Sequence, residues 1–139
     1  DGKYGFIDRN GEEYIPFIYE DAAPFSDGLA YFSTEDSYGF LNKDGLAQFY
    51  LDCDSVSSFS EGMAYFSLDG KYGYIDKSGK CVIEPSFSDA DYFKNGIAIV
   101  MVDGNMGAIN PNGEIVIPLE YRYMYRSNEC AYMYATKEE

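Results

Sequence analysis

The chain has 139 residues, enough for one ordinary domain with a sizeable core. Its formal charge is −14, yet 46% of the residues are hydrophobic and 18% aromatic, so the acids read as a solvated surface rather than as disorder. An acidic surface repels phosphate backbones and anionic membrane surfaces, which argues against nucleic acid and favours a basic protein surface or a cation. No stretch approaches the roughly 18 consecutive apolar residues that membrane insertion needs. Histidine is absent, which removes Ser-His-Asp and Cys-His nucleophilic sets and the commonest metal ligand.

In chain order, the first predicted element is a short strand, Lys3-Tyr4-Gly5-Phe6-Ile7-Asp8, in which apolar residues alternate with small or polar ones. It returns as Ser37-Tyr38-Gly39-Phe40-Leu41-Asn42, Lys71-Tyr72-Gly73-Tyr74-Ile75-Asp76 and Asn105-Met106-Gly107-Ala108-Ile109-Asn110, each copy 34 residues after the last. A turn follows every time: Asp8-Arg9-Asn10-Gly11, Asn42-Lys43-Asp44-Gly45, Asp76-Lys77-Ser78-Gly79 and Asn110-Pro111-Asn112-Gly113. Asp or Asn at its first position accepts backbone hydrogen bonds, and the closing Gly takes a left-handed conformation.

The second strand is expected over 13–16, 47–50, 81–84 and 115–118, stopping at or near proline in three copies, as an edge or a strand end would. A connection of about ten residues then leads to Phe25-Ser26-Asp27-Gly28, Phe59-Ser60-Glu61-Gly62 and Phe93-Lys94-Asn95-Gly96, with the aromatic plugging the core. The third strand is placed at 29–33, 63–67, 97–101 and 131–135. Asp69-Gly70-Lys71 and Asp103-Gly104-Asn105 are hairpin signals leading into the next copy.

The fold expected is all-β: a single repeat domain over 1–139, a tandem array of four 34-residue three-stranded antiparallel meanders with units 3–36, 37–70, 71–104 and 105–138. So small a unit buries its aromatics only by stacking on its neighbours, which makes an open, elongated, solenoid-like array the expectation and a closed propeller the alternative. The fourth unit is a degenerate cap. Asp1-Gly2-Lys3 matches the turn that elsewhere follows a third strand, so the array is expected to extend further N-terminally.

These columns resemble the bacterial WG-repeat family, whose units carry a Trp-Gly pair, an aliphatic-Asp-x-x-Gly turn and a Phe-Ser-x-Gly-Leu-Ala segment. Ile7-Asp8-Arg9-Asn10-Gly11 and Phe25-Ser26-Asp27-Gly28-Leu29-Ala30 are close fits, and the resemblance spans 3–136. Tyr4, Tyr38, Tyr72 and Met106 stand in the Trp column. The resemblance implies a non-catalytic extracytoplasmic or interaction module and carries no residue-level site.

No catalytic, cofactor or metal residue is assigned. Asp8-x-Asn10-Gly11 has the start of a calcium loop without its bidentate Glu, and turn chemistry accounts for it. Glu20/Asp21, Asp52/Asp54 and Asp89/Asp91 lie in the connections, where recurring acids read as solvated loops rather than a catalytic pair. Cys53, Cys81 and Cys130 read as free thiols, with a Cys53–Cys81 bridge and the compartment both left open. Fifteen Tyr and ten Phe exceed what a small core needs. Tyr121, Tyr123, Tyr125, Tyr132 and Tyr134 are therefore the candidate binding surface. The expected role is a protein-interaction or scaffold module with an acidic, Tyr-rich face; the alternative is a cell-envelope or carbohydrate-binding module using aromatic platforms.

Overall fold

A computed structural model of the chain describes residues 2–127 and 133–137. Among them there is no helix, and no sheet closes on itself. Sixteen strands form five antiparallel sheets. The hairpin β1 (Tyr4–Ile7) and β2 (Glu13–Tyr19) comes first. A four-stranded sheet follows, of β3 (Asp21–Ala22), β4 (Ala30–Ser33), β5 (Tyr38–Leu41) and β6 (Ala47–Leu51). The next sheet holds β7 (Ser55–Val56), β8 (Met63–Leu68), β9 (Lys71–Asp76) and β10 (Cys81–Phe87). The third full sheet holds β11 (Asp89–Ala90), β12 (Ala98–Val102), β13 (Asn105–Ile109) and β14 (Ile115–Tyr121). The hairpin β15 (Tyr123–Arg126) and β16 (Met133–Thr136) is last.

The open array of four tandem units is what the periodicity predicts, but two details differ. The connection contains an additional two-residue strand, so the complete sheets have four strands rather than three. Each also straddles a unit boundary, because the tight turn joining two units is a covalent hairpin inside one sheet. Asp69 and Gly70 there both have positive φ, the mark of a two-residue type I′ turn.

The second strand runs through its proline instead of ending there: β2, β10 and β14 contain Pro16, Pro85 and Pro118. The strand lies at the sheet edge and is bulged beside the proline, so the missing N–H costs no ladder bond. The same bulge explains the glycine of the first strand. A Cβ on Gly73 would fall 2.7 Å from the Pro85 nitrogen, where the kinked backbone crosses over it.

The core lies between sheets. Phe40 of β5, Phe59 in the loop after β7, Phe66 of β8 and Ile75 of β9 share one buried cluster. Tyr74, Phe87, Phe93, Val100 and Ile109 share the next. Adjacent residues of one strand serve different interfaces: Phe32 packs toward the first hairpin while Tyr31 packs toward the following sheet. Stacking thus covers both faces, as the Tyr-Phe pairs require. Burying each such side chain contributes about 1.5–3 kcal/mol.

Candidate interaction site

The predicted tyrosines fall into two groups. On the last hairpin, strand alternation places buried Met124 between exposed Tyr123 and Tyr125. Tyr134 of β16 stands opposite Tyr125, their rings 6.4 Å apart and 29° from parallel. Tyr121 is separate: it ends β14, and Lys137, paired with Glu120, sits over its ring at 4.9 Å. Tyr132 lies outside the described residues.

Beside this patch runs a groove of about 420 Å³ between the third full sheet and the last hairpin. It is lined by Asp89, Asp91, Tyr92 and Tyr125 together with Met101, Met106 and Met124. Arg126 closes one end. Its guanidinium donates to the carbonyls of Tyr92 (2.9 Å), Lys94 (2.8 Å) and Ile97 (2.7 Å), and lies 5.5 Å from the centre of the Tyr92 ring. Its Nε is buried without a hydrogen-bond partner, 3.9 Å from Asp91 Oδ2. The charge at this end is thereby partly neutralised, and Asp89 remains the outlying carboxylate.

Sequence reasoning passed over this groove. The signal was present: four of the five methionines fall after position 100, and Met106 and Met124 replace Tyr72 and Ala90 of the preceding unit. It also missed a ladder of acids. Asp27, Glu61 and Asn95 hold positive φ with the glycine after them. Asp27 Oδ2 accepts from the Gly62 amide at 2.6 Å, and the Glu61 carboxylate accepts from the Asn95 and Gly96 amides at 2.6 and 2.8 Å. Each acid ties its own turn to the equivalent turn of the next unit.

Several other acids, and the Asn that replace them in the turns, are engaged in local structure. One side-chain oxygen of Asp8, Asn42, Asp76 and Asn110 accepts two backbone amides of its own turn, at 2.7–3.1 Å. Asp54 caps the Asp69 amide, and Asp21, Asp89 and Asp91 each accept from the next residue's amide. Among the described residues no three Cys, Asp or Glu side chains converge as a metal site would need. Cys53 and Cys81 are free thiols, partly buried against one cluster. Burial, then Asp54 and Asp52, push the Cys53 thiol up to about 11, away from nucleophilic character.

The WG-containing repeat matches residues 4–37, 38–72, 72–105 and 106–129, four consecutive segments that follow the spacing of the glycine columns. The chain belongs to the WG-containing repeat family. No curated protein matches it at the level of sequence. In this WG chain the Trp column is half-buried at Tyr38 and Tyr72, each packed against the preceding strand's Tyr31 or Tyr65. The family's aromatic is therefore a cross-strand packing element here, and Met106 in the last WG unit becomes part of the groove.

Proposed function

We propose that this WG-repeat chain is a non-catalytic interaction module that binds a basic segment of another protein in the groove between β11–β12 and β15. The observation that carries the reading is the composition of that groove. Flexible methionines give the groove an apolar lining that adapts to a partner side chain, while Asp89, the carboxylate not paired with Arg126, and the exposed ring of Tyr125 receive a Lys or Arg. The net charge of −14 adds long-range attraction for such a partner.

A labelled lysine- and leucine-containing peptide, titrated by fluorescence anisotropy at low and high salt, tests the reading. Binding should weaken with salt and fall about tenfold in the Asp89→Asn/Asp91→Asn double variant, roughly 1.4 kcal/mol. Equal binding by the wild-type chain and the double variant would exclude the groove.

A carbohydrate-binding role is the second reading, favoured by the exposure of Tyr123, Tyr125 and Tyr134 on one hairpin. It predicts that a soluble oligosaccharide quenches tyrosine fluorescence and that Tyr123→Ala abolishes the effect without altering peptide binding.

A further inference from the structure

The second strand of every repeat stands at a sheet edge: among the described residues β2, β6, β10 and β14 each pair on one side only. The outer side of such a strand is a row of unpaired N–H and C=O groups, which proteins protect with prolines, bulges or charges. Three of the four edges carry that protection. Pro16, Pro85 and Pro118 lie within β2, β10 and β14. Each of these strands also advances four residues while its partner advances two. Ile15 to Tyr19 runs against Phe6 to Tyr4, Ile83 to Phe87 against Tyr74 to Tyr72, and Ile117 to Tyr121 against Ala108 to Met106. The bulge bends the edge and interrupts its row of free groups.

The edge of the second unit is built differently. Phe49, Tyr50 and Leu51 of β6 face Phe40, Gly39 and Tyr38 one for one, and the register shift is confined to the turn end, between Phe40 and Leu41. No proline and no charged residue falls within Ala47–Leu51. The residues that close the other bulges, Tyr19, Phe87 and Tyr121, carry large rings; the second unit has Cys53 in that column, beyond the end of its strand. The glycines of the first strands register the same difference. A Cβ on Gly5, Gly73 or Gly107 would fall against a bulged carbonyl, that of Ile15, Ile83 or Ile117, whereas one on Gly39 would meet the Phe32 ring first.

The surroundings of this regular edge indicate what it receives. Tyr50 is 61% exposed, its ring meeting Phe32 edge-on at 5.7 Å, and Phe49 and Leu51 are half-buried on the opposite face. A strand laid alongside brings its own side chains against both faces. Asp52 and Asp54 are exposed just past the strand, and no Lys or Arg occurs between Lys43 and Lys71.

We propose that β6 is a site of strand addition: an extended, basic segment of another protein pairs antiparallel with it as the fifth strand of the β3–β6 sheet. The free N–H and C=O groups of β6 supply the affinity. Tyr50 on one face and Phe49 and Leu51 on the other favour β-branched or aromatic residues in the middle of the segment, and Asp52 and Asp54 favour Lys or Arg at its end. Charge opposes a second copy in this role, since each chain carries −14 and β6 against β6 adds no cation. The site shares no residue with the methionine-lined groove, so the two are separate contacts on one acidic chain.

The probe is a fluorescent peptide of alternating valine and threonine with two lysines at each end, titrated by anisotropy and mapped by amide-resolved hydrogen exchange. Binding should saturate, weaken with salt, and slow exchange within 47–51 but not in β2, β10 or β14. Methylating the backbone nitrogens of one alternate set of peptide residues should weaken binding at least about tenfold, and methylating the other set should not, because only alternate residues face the edge. Glutamates in place of the lysines should weaken it at least as much. Tyr50→Pro gives β6 the residue of its column in the first and fourth units and should abolish the protection; where that variant melts early, the methylated peptides decide. Asp89→Asn/Asp91→Asn should leave the protection of 47–51 intact, which keeps failure here distinct from failure at the groove. Absence of saturable binding, protection confined to 89–92 and 124–126, or equal loss from both methylated sets would overturn the proposal. Concentration-dependent protection of 47–51 without peptide would assign the edge to a second copy and overturn the basic partner.

Discussion

The contact between the second and third connections differs in kind from the contact between the third and the fourth. At the former, Ser60 Oγ donates to the Phe93 carbonyl at 2.7 Å, as Ser26 does to Phe59 one unit earlier, and Glu61 accepts two amides beside it. At the latter, Lys94 stands in the serine column, and its carbonyl accepts from Arg126, as do those of Tyr92 and Ile97. A long side chain reaching from another position thus takes three carbonyls at this junction, and the methionine-lined groove lies beside it. The two junctions differ in two columns, those of Lys94 and Arg126, with the sheets themselves kept.

The largest expected effect comes from breaking the seam. Phe59 is buried against Phe40, at 4.8 Å between ring centres, and Phe59→Ala should cost about 3–5 kcal/mol in urea unfolding. Because the ring belongs to the cluster joining two full sheets, hydrogen exchange should accelerate in both. Met124→Ala, at the last junction, should cost about 2–4 kcal/mol of local stability, with faster exchange in β15–β16 and its surroundings alone. Equal spreading of the two effects would mean that the junctions are energetically alike.

Next is the clamp. Arg126→Met leaves three carbonyls without this donor and should cost about 1–3 kcal/mol, read as accelerated exchange in β15–β16 and around 92–97. Adding Lys94→Ser restores the residue found in the first two units. If the serine rule is general, it should recover about 1 kcal/mol and narrow the groove, which would appear as weaker peptide binding.

The seam was legible in the sequence and the clamp was not, for a physical reason. Glycine columns, turn grammar and the Phe of Phe-Ser-x-Gly report local backbone demands, so they repeat wherever the fold repeats. The two-residue strands β3, β7 and β11 were hidden because Asp21–Ala22, Ser55–Val56 and Asp89–Ala90 are too short to show alternation; their pairing is imposed by the neighbouring strand. Pro16, Pro85 and Pro118 read as strand ends because a sequence does not reveal which strand has a free edge. The exposed tyrosines of the last hairpin stand out in the sequence by their density. The groove beside them was missed because Asp89, Met101 and Arg126 belong to different units and meet only through stacking.

A smaller effect tests the acid ladder, whose column continues as Asn95 in the third unit. Glu61 sits at φ 51°, a conformation that costs a side chain about 1 kcal/mol, and offsets it by accepting the Asn95 and Gly96 amides. Glu61→Ala keeps the strain and loses the bonds, so it should destabilise by about 1–2 kcal/mol. Glu61→Gly loses the bonds and the strain together and should cost less than the alanine variant, by about 0.5–1 kcal/mol. Thermal melts of the two variants side by side separate the terms; an alanine variant as stable as the glycine one would assign no role to the backbone conformation.

The smallest effect uses a comparison already built into the four turns. Asp8 and Asp76 make the same paired bonds to turn amides as Asn42 and Asn110, but only the carboxylates titrate. The Ser78 hydroxyl, with the Ser78 and Lys80 amides, holds the Asp76 carboxyl below its usual 3.8, and the Glu12 and Asn10 amides do the same for Asp8. A carboxyl depressed in the folded chain binds its proton more weakly there than when unfolded. Its contribution is therefore complete above the unfolded value near 4 and is lost as pH falls through the lower folded value. Asp76→Asn keeps both amide bonds, as its natural counterparts do. It should leave the melting temperature near neutrality almost unchanged while reducing the loss of stability below about pH 4. Adding Asp8→Asn should flatten the acid limb further, and Asp44→Asn, whose carboxylate makes no such turn bond, serves as the control. An acid limb of the same slope in all these variants would show that protonating the turn carboxylates does not weaken their amide bonds, and would overturn the linkage.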